Sequence, residues 1–322
     1  MKDNILITGI AGFAGSYLAE RLIKSGRYIY GVAYPFEPIR NIEHITDRIG
    51  LHYCDLTDFN STQKVIEEVK PSFIYHLSGM SNVGTSWQNV DGMLRTNYGA
   101  LMNIFRSLAG LNLYPRVMAV GSGDEYGILR EADLPASETL PLNPANPYAL
   151  SKVFQEYLAS FYENAYGFRA IKIRAFNHVG PRQRKGFVCS DIAAQIASAE
   201  LKKTSPVIKA GNIDSMRNFT DVRDIAEAYF LAFEKNIPAD IYNVGSDRVC
   251  SIREIIAIMC GLSNLKFDIE VDPGMFRKSD TPVLLGSAAK FIKETGWKAV
   301  IPLEKTLADI LDYWRKEILV TG

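Results

Sequence analysis

Residues 5–15 read Ile5-Leu6-Ile7-Thr8-Gly9-Ile10-Ala11-Gly12-Phe13-Ala14-Gly15. Ile5 to Thr8 has the composition of a buried strand. Phe13 to Ser25 reads as a helix, with Leu18, Leu22 and Ile23 on one face and Gly26 as its stop. Glycines 9, 12 and 15 stand three apart between and within these elements. Gly9 allows a sharp exit from the strand, Gly12 a close backbone approach to a pyrophosphate, and Gly15 tight packing of helix on strand. The amides of the helix start, at Phe13 and Ala14, supply donors and a favourable dipole. Three spaced glycines alone are a weak signal. Placed directly after the first strand and opening a helix, they read as a dinucleotide-binding loop rather than a structural turn.

Outward from this loop, apolar runs alternate with amphipathic segments. Tyr28 to Ala33, Leu51 to Cys54, Phe73 to Leu77, Arg116 to Val120 and Phe168 to Ile173 read as strands. Asp58 to Val69, Asn97 to Leu108 and Pro147 to about Ala165 read as helices. Strands apolar on both faces and joined by helices predict an α/β fold with a doubly wound parallel sheet. Its ligands would sit at the carboxyl ends of the strands. After Ala175 the loops lengthen and collect glycine, proline and arginine. The expected division is residues 1–175 as a dinucleotide-binding domain, with returns to its sheet near 221–245, and residues 176–322 as a smaller binding lobe.

The 322 residues carry 36 Lys plus Arg and 36 Asp plus Glu, a formal charge of zero. That balance excludes a general nucleic-acid binder. At 47% hydrophobic and 22% charged the composition is that of a globular protein, and no apolar run reaches the length of a membrane span. The start, Met1-Lys2-Asp3-Asn4, does not resemble an export signal. Cys54, Cys189, Cys250 and Cys260 show no paired spacing, and the four histidines do not cluster. Neither a disulfide scaffold nor a metal site is expected, and a cytoplasmic location is.

The choice of dinucleotide rests on the end of the second strand. There Gly31-Val32-Ala33-Tyr34-Pro35 offers no carboxylate until Glu37, while Arg40 stands close enough to meet a 2′-phosphate. NADP is favoured, with NAD as the alternative and a solvated Arg40 as the bland one. Asp55-Leu56, after the third strand, is placed to touch an adenine ring, and Asp58 reads equally as a helix cap.

Tyr148-Ala149-Leu150-Ser151-Lys152 puts a phenol and an ammonium on one helical face, directly behind Asn146-Pro147. The upstream loop Gly121-Ser122-Gly123-Asp124-Glu125-Tyr126-Gly127 leaves the fifth strand. A hydroxyl, a phenol and an ammonium can thus converge beside a nicotinamide. A nearby lysine charge, and that of an oxidised nicotinamide, would lower the phenol's pKa and suit it to exchanging a proton with a carbonyl oxygen.

These motifs, with His76-Leu77-Ser78-Gly79 and Asn97-Tyr98-Gly99-Ala100, resemble the extended short-chain dehydrogenase/reductases that act on nucleotide sugars. The resemblance implies Ser122, Tyr148 and Lys152 as the catalytic set, with Asn97 supporting the lysine through a water. It also implies a coenzyme site including Leu77, Ser78, Gly79, Phe176 and His178. The stretch Arg174 to Gln183, together with Gly186-Phe187-Val188, Lys209 to Asn212, Arg217 to Asp224 and Phe276 to Asp280, is similar to GDP-mannose 4,6-dehydratases and GDP-4-keto-6-deoxy-mannose reductases. Asn177, Val188, Lys209, Arg217 and Arg277 would then line a GDP-sugar site, arginine being suited to phosphate oxygens.

Asp124 divides these two activities. The dehydratases place a glutamate there to remove the C5 proton, and aspartate is one methylene shorter, whereas a reductase needs no such base. Glu125 fills a slot that is usually apolar. The expectation is therefore a reductase using NADPH on GDP-4-keto-6-deoxy-mannose. A dehydratase, a 4-epimerase and a non-catalytic redox sensor are the rivals. Aromatic residues on the helices from Asn97 and Pro147, including Phe154 and Phe161, predict a homodimer.

Overall fold

The computed structural model describes residues 4–276 and 281–321. Its centre is a seven-stranded parallel sheet. The strands are β1 (Ile5–Thr8), β2 (Ile29–Ala33), β3 (Ile49–Tyr53), β4 (Phe73–His76), β5 (Arg116–Val120), β6 (Arg169–Ala175) and β7 (Ile241–Val244). Their order is β7-β6-β5-β4-β1-β2-β3. The chain steps outward from β1 to β3, then crosses back to β4 on the other side of β1. The loops after β1 and β4 therefore diverge and leave a crevice at the carboxyl edge.

Alternation along β1 explains the layers. Ile5 and Ile7 face one core with Leu18, Leu22, Ile225 and Tyr229. Leu6 faces the other with Ile74, Val65, Ile104 and Leu158. The first face is covered by α1 (Phe13–Lys24) and α6 (Val222–Glu234). The second is covered by α2 (Phe59–Val69), α3 (Ala100–Gly110) and α4 (Pro147–Tyr166). Helices cover both faces, so the central strands need no solvent-facing side.

The later half of the chain contributes to the first core. Besides α6 and β7, Ala288, Phe291 and Trp297 pack into it. The Trp297 indole donates to Asp224 O at 2.8 Å. A separate core gathers Ile192 and Ile196 of α5 (Val188–Glu200) with Ile208, Phe219, Ile255, Leu307 and Trp314. Among the described residues no helix is long and apolar enough to cross a membrane.

One element departs from its sequence pattern. The helix expected from Asn97 begins earlier, as a short α segment Val90–Leu94, and passes through a π-helical turn at Arg95–Gly99 before α3. A π turn widens the helix locally. Here it carries Asn97, whose side chain is fully buried against the loop after β4.

Candidate active site

The glycine loop is shaped by contact. Gly9 has φ +70°, and a Cβ there would stand 2.9 Å from Ser78 N. A Cβ on Gly15 would stand 2.2 Å from Gly9 O, so only hydrogen fits between α1 and the strand exit. Gly12 caps α1 without a side chain, and the first turn holds no acidic residue. Uncapped amides at a positive helix end, approached closely by no Cβ, fit a pyrophosphate. Phe13 and Ala14 begin this turn. The Phe13 ring stacks on His178, with centroids 5.9 Å apart and planes 8° apart.

The catalytic candidates meet at the ends of β4 and β5. Asn146 caps α4 by accepting from the Ala149 amide at 2.8 Å, and Pro147 occupies its first position. That fixes Tyr148 and Lys152 on the first turns. Tyr148 hydrogen-bonds Ser122. Ser122 Oγ also accepts from the Asp124 amide at 3.1 Å. Lys152 Nζ donates to Val120 O at 2.8 Å and lies 5.9 Å from the centre of the Tyr148 ring. Gly79 closes the arrangement: a Cβ there would stand 2.7 Å from Asn97 Oδ1 and 3.8 Å from Lys152 Nζ. Leu77, Ser78 and Gly79 thus connect the glycine loop to the lysine. Asn97 is held by Met80, whose amide donates to its Oδ1 at 2.7 Å, and its Nδ2 donates to Ser151 at 2.8 Å.

The electrostatics reverse one expectation. Burial pushes the Tyr148 phenol well above its usual range, and Asp124 and Glu125 push it the same way, against the Ser122 hydrogen bond. Lys152, its ammonium 5.9 Å from the centre of the ring, does not outweigh that burial. Burial instead lowers Lys152 to about 8, with Glu125 opposing. Desolvation wins because Lys152 is buried and Tyr148 is half-buried in the packed end of the sheet. His76 is buried beside them and lowered to about 3 by burial and by Lys152. It is therefore neutral, sharing a hydrogen bond with Thr8 Oγ1 at 2.9 Å.

The remaining sequence candidates divide. Asp55 Oδ1 accepts from the Thr57 amide and hydroxyl at 2.9 and 2.8 Å, fixing the turn in which Leu56 is buried. Asp58 caps α2 through the Ser61 amide at 2.7 Å. Arg40 is drawn to the C-terminal helix, donating to Glu317 at 2.7 Å and Tyr313 at 3.1 Å. A 2′-phosphate would compete with that carboxylate. The Phe176 ring packs where Cβ atoms on Gly123, Gly245 or Gly286 would collide, and its amide donates to Val244 O. Packed in this way it holds three loops together. His178 leaves its stacked face on Phe13 and bonds Phe176 O through Nδ1 at 3.2 Å.

Later in the chain, Asn177 adjoins His178, and its carbonyl accepts from the Thr220 amide at 2.9 Å. Val188 opens α5, and Gln195 farther along α5 holds the Lys209 backbone from both sides. The Lys209 ammonium lies 3.4 Å from Glu270. Arg217 donates to the carbonyls of Met216 and Thr281 at 2.9 and 2.5 Å. Arg277 lies outside the described residues.

Two buried groups escaped sequence reasoning. Ser122-Gly123-Asp124-Glu125 forms a reciprocal cap, in which Glu125 accepts from the Ser122 amide at 2.6 Å. The Ser-x-x-Glu spacing was its available signal. Glu125 is wholly buried. Arg174, in β6, donates to both oxygens of Glu156 at 2.8 and 2.7 Å and to the Tyr126 hydroxyl at 2.8 Å. This buried pair underlies the Ser122 turn, and nothing in local spacing reveals it.

With this geometry in view, the relatives can be placed. The family model described as GDP-mannose 4,6 dehydratase matches residues 6–310. The GDP-6-deoxy-D-mannose reductase of Pseudomonas aeruginosa is 29% identical over 318 residues, covering 99% of each chain. The GDP-mannose 4,6-dehydratase of Yersinia enterocolitica is 26% identical, covering 95% of this chain and 92% of its own. The solved structure of RMD from Pseudomonas aeruginosa complexed with NADPH superposes with a TM-score of 0.85 at 28% identity, covering 98% of this chain and 99% of that one. UDP-glucose 4-epimerase of Thermus thermophilus, complexed with NAD, reaches 0.86 at 24% identity over 97% of this chain and 99% of its own, a likeness of fold.

Proposed function

Because the chain belongs to the GDP-mannose 4,6-dehydratase family, we propose that it is the reductase variant of that chemistry, converting GDP-4-keto-6-deoxy-mannose to GDP-rhamnose with NADPH. The observation that carries the reading is Asp124 beside an assembled Ser122, Tyr148 and Lys152. A dehydratase needs a longer acid at that place to reach C5, and a ketone reductase needs none. The full-length likeness to a GDP-6-deoxy-D-mannose reductase supports the same choice.

The coenzyme would rest on Gly9, Gly12, Gly15 and the first amides of α1, with Asp55 and Leu56 toward the adenine. Leu77, Ser78, Gly79, Asn97 and His178 would line its nicotinamide half, and Arg40 would turn from Glu317 to a 2′-phosphate. Asn177, Val188, Lys209, Arg217 and Arg277 would hold the GDP-sugar. When bound, NADPH supplies hydride to C4. Tyr148 gives its proton to the C4 oxygen, and Ser122 hydrogen-bonds that oxygen as charge develops. Burial keeps the phenol protonated through the neutral range, the state a donor requires. The Lys152 ammonium offsets the charge left on the phenolate. Purified protein given the 4-keto sugar should consume NADPH and yield one C4 configuration by NMR. Formation of a 4-keto product from GDP-mannose alone would instead make it a dehydratase.

The enzyme is read as a cytoplasmic homodimer. Its four cysteines are free thiols. On α4, Tyr157 and Phe161 are 61% and 55% exposed, and with Tyr98, Met102 and Phe154 they line an open apolar hollow. An apolar face shared by two helices fits a second copy of itself. Light scattering should give a dimer, and the double variant Tyr157→Glu, Phe161→Glu a folded monomer. A monomeric parent protein would end this reading.

A further inference from the structure

The end of β5 is held from two directions by opposite charges. Lys152 Nζ donates to Val120 O at 2.8 Å, and two residues later the Ser122 amide donates to Glu125 Oε1 at 2.6 Å. Glu125 is 0% exposed. Among the described residues its second oxygen accepts no hydrogen bond, and it lies 4.0 Å from Arg174 Nε. Arg174 cannot serve it fully, because both oxygens of Glu156 already take that guanidinium. One arginine thus faces two carboxylates, and Lys152 is the second cation of the group. A buried carboxylate without full hydrogen bonding is costly unless a charge nearby offsets it.

We propose that Glu125 is a positioning residue for the reduction: its buried carboxylate fixes the Ser122 amide and, through space, holds the proton on Lys152. The inference rests on the reductase reading for its rate measurement. The groups facing Glu125 are Tyr148, Lys152 and Glu156 from α4 and Arg174 from β6, with Asp124 and Tyr126 beside it in its own turn. Neutral His76 of β4 faces Lys152. Burial and Glu156 raise the Glu125 carboxyl well above its ordinary range, while the Ser122 amide, Arg174 and Lys152 draw it down. Glu125 and Lys152 therefore titrate as a pair: the carboxylate favours the ammonium, and loss of either charge promotes loss of the other.

Glu125→Gln tests this with little change of shape, since the amide oxygen still accepts from Ser122. In the parent enzyme kcat/KM should fall on the alkaline side near the Lys152 value of about 8. In the variant that limb should move down by about one pH unit, roughly a fivefold loss at pH 8 that approaches about tenfold at higher pH, with a much smaller loss at pH 6. NADPH affinity, followed by fluorescence without substrate, should show the same displaced alkaline limb. A profile parallel to the parent's, reduced equally at every pH, would mean a purely structural role and overturn the proposal. Should the parent be inert toward the keto sugar, the reductase reading fails, while the NADPH titration still decides for or against Glu125. Glu125→Met provides a second variant with an apolar side chain in that slot, and its alkaline limb should move likewise. In parent protein alone, infrared difference spectra should show a carboxyl titrating above the usual range and absent from the Met variant. Titration of every carboxyl in the ordinary range would overturn the pairing.

Discussion

Tyr148→Phe lowers kcat by roughly 100- to 10,000-fold, the range lost when a general acid is removed, and leaves NADPH binding nearly intact. The ring is held by its helix, not by its hydroxyl. Asn146 caps α4, Pro147 begins it, and Lys152 stays on Val120 O. The only bond forfeited is that to Ser122. Without the phenol no neighbouring donor replaces it. Ser122 hydrogen-bonds the C4 oxygen but its aliphatic hydroxyl is a far weaker acid than a phenol, His76 is neutral and bonded to Thr8, and Lys152 points at the β5 carbonyl. Turnover and NADPH affinity measured on the same preparation check this. Activity within threefold of the parent's would remove Tyr148 from the mechanism.

Gly15→Val should act on the other half of the site. Its Cβ would lie 2.2 Å from Gly9 O and 3.0 Å from Ile10 Cα, both backbone atoms that cannot swing aside. The helix must move off the strand exit, and overpacking of this kind costs about 1–3 kcal/mol. The same movement displaces the α1 amides from the pyrophosphate position. If that whole strain falls on binding, NADPH affinity drops about five- to 150-fold. Calorimetric titration measures the affinity and thermal melting the stability. A variant that melts and binds like the parent would show that the loop is not closed against α1 in this way.

The two variants separate chemistry from binding. Tyr148→Phe should keep the coenzyme and lose the reaction, whereas Gly15→Val should lose the coenzyme and so the reaction with it. A redox-sensing protein on this fold would tolerate the first and not the second. The rival 4-epimerase would return hydride to the same carbon and leave no net oxidation of NADPH.

Local pattern carried most of the architecture. Ile5 to Thr8, the three glycines and the Phe13 helix are neighbours in the chain, and their reading depends only on periodicity and on which positions refuse a side chain. The same holds for Asn146-Pro147-Tyr148, where cap, helix start and reactive ring follow one another. What the chain order concealed were contacts between distant segments. The π turn at Asn97 exists because that side chain reaches Met80 and Ser151. Arg40 looked free for a phosphate because Glu317 and Tyr313 are far along the chain. Phe176 lies among three glycines from three loops, a packing that no local pattern shows. The Tyr148 phenol was expected to be acidified by Lys152. Only the packing of distant segments around it revealed that desolvation outweighs that charge, because the energy of a charge is set by everything around it and not by its neighbours in sequence.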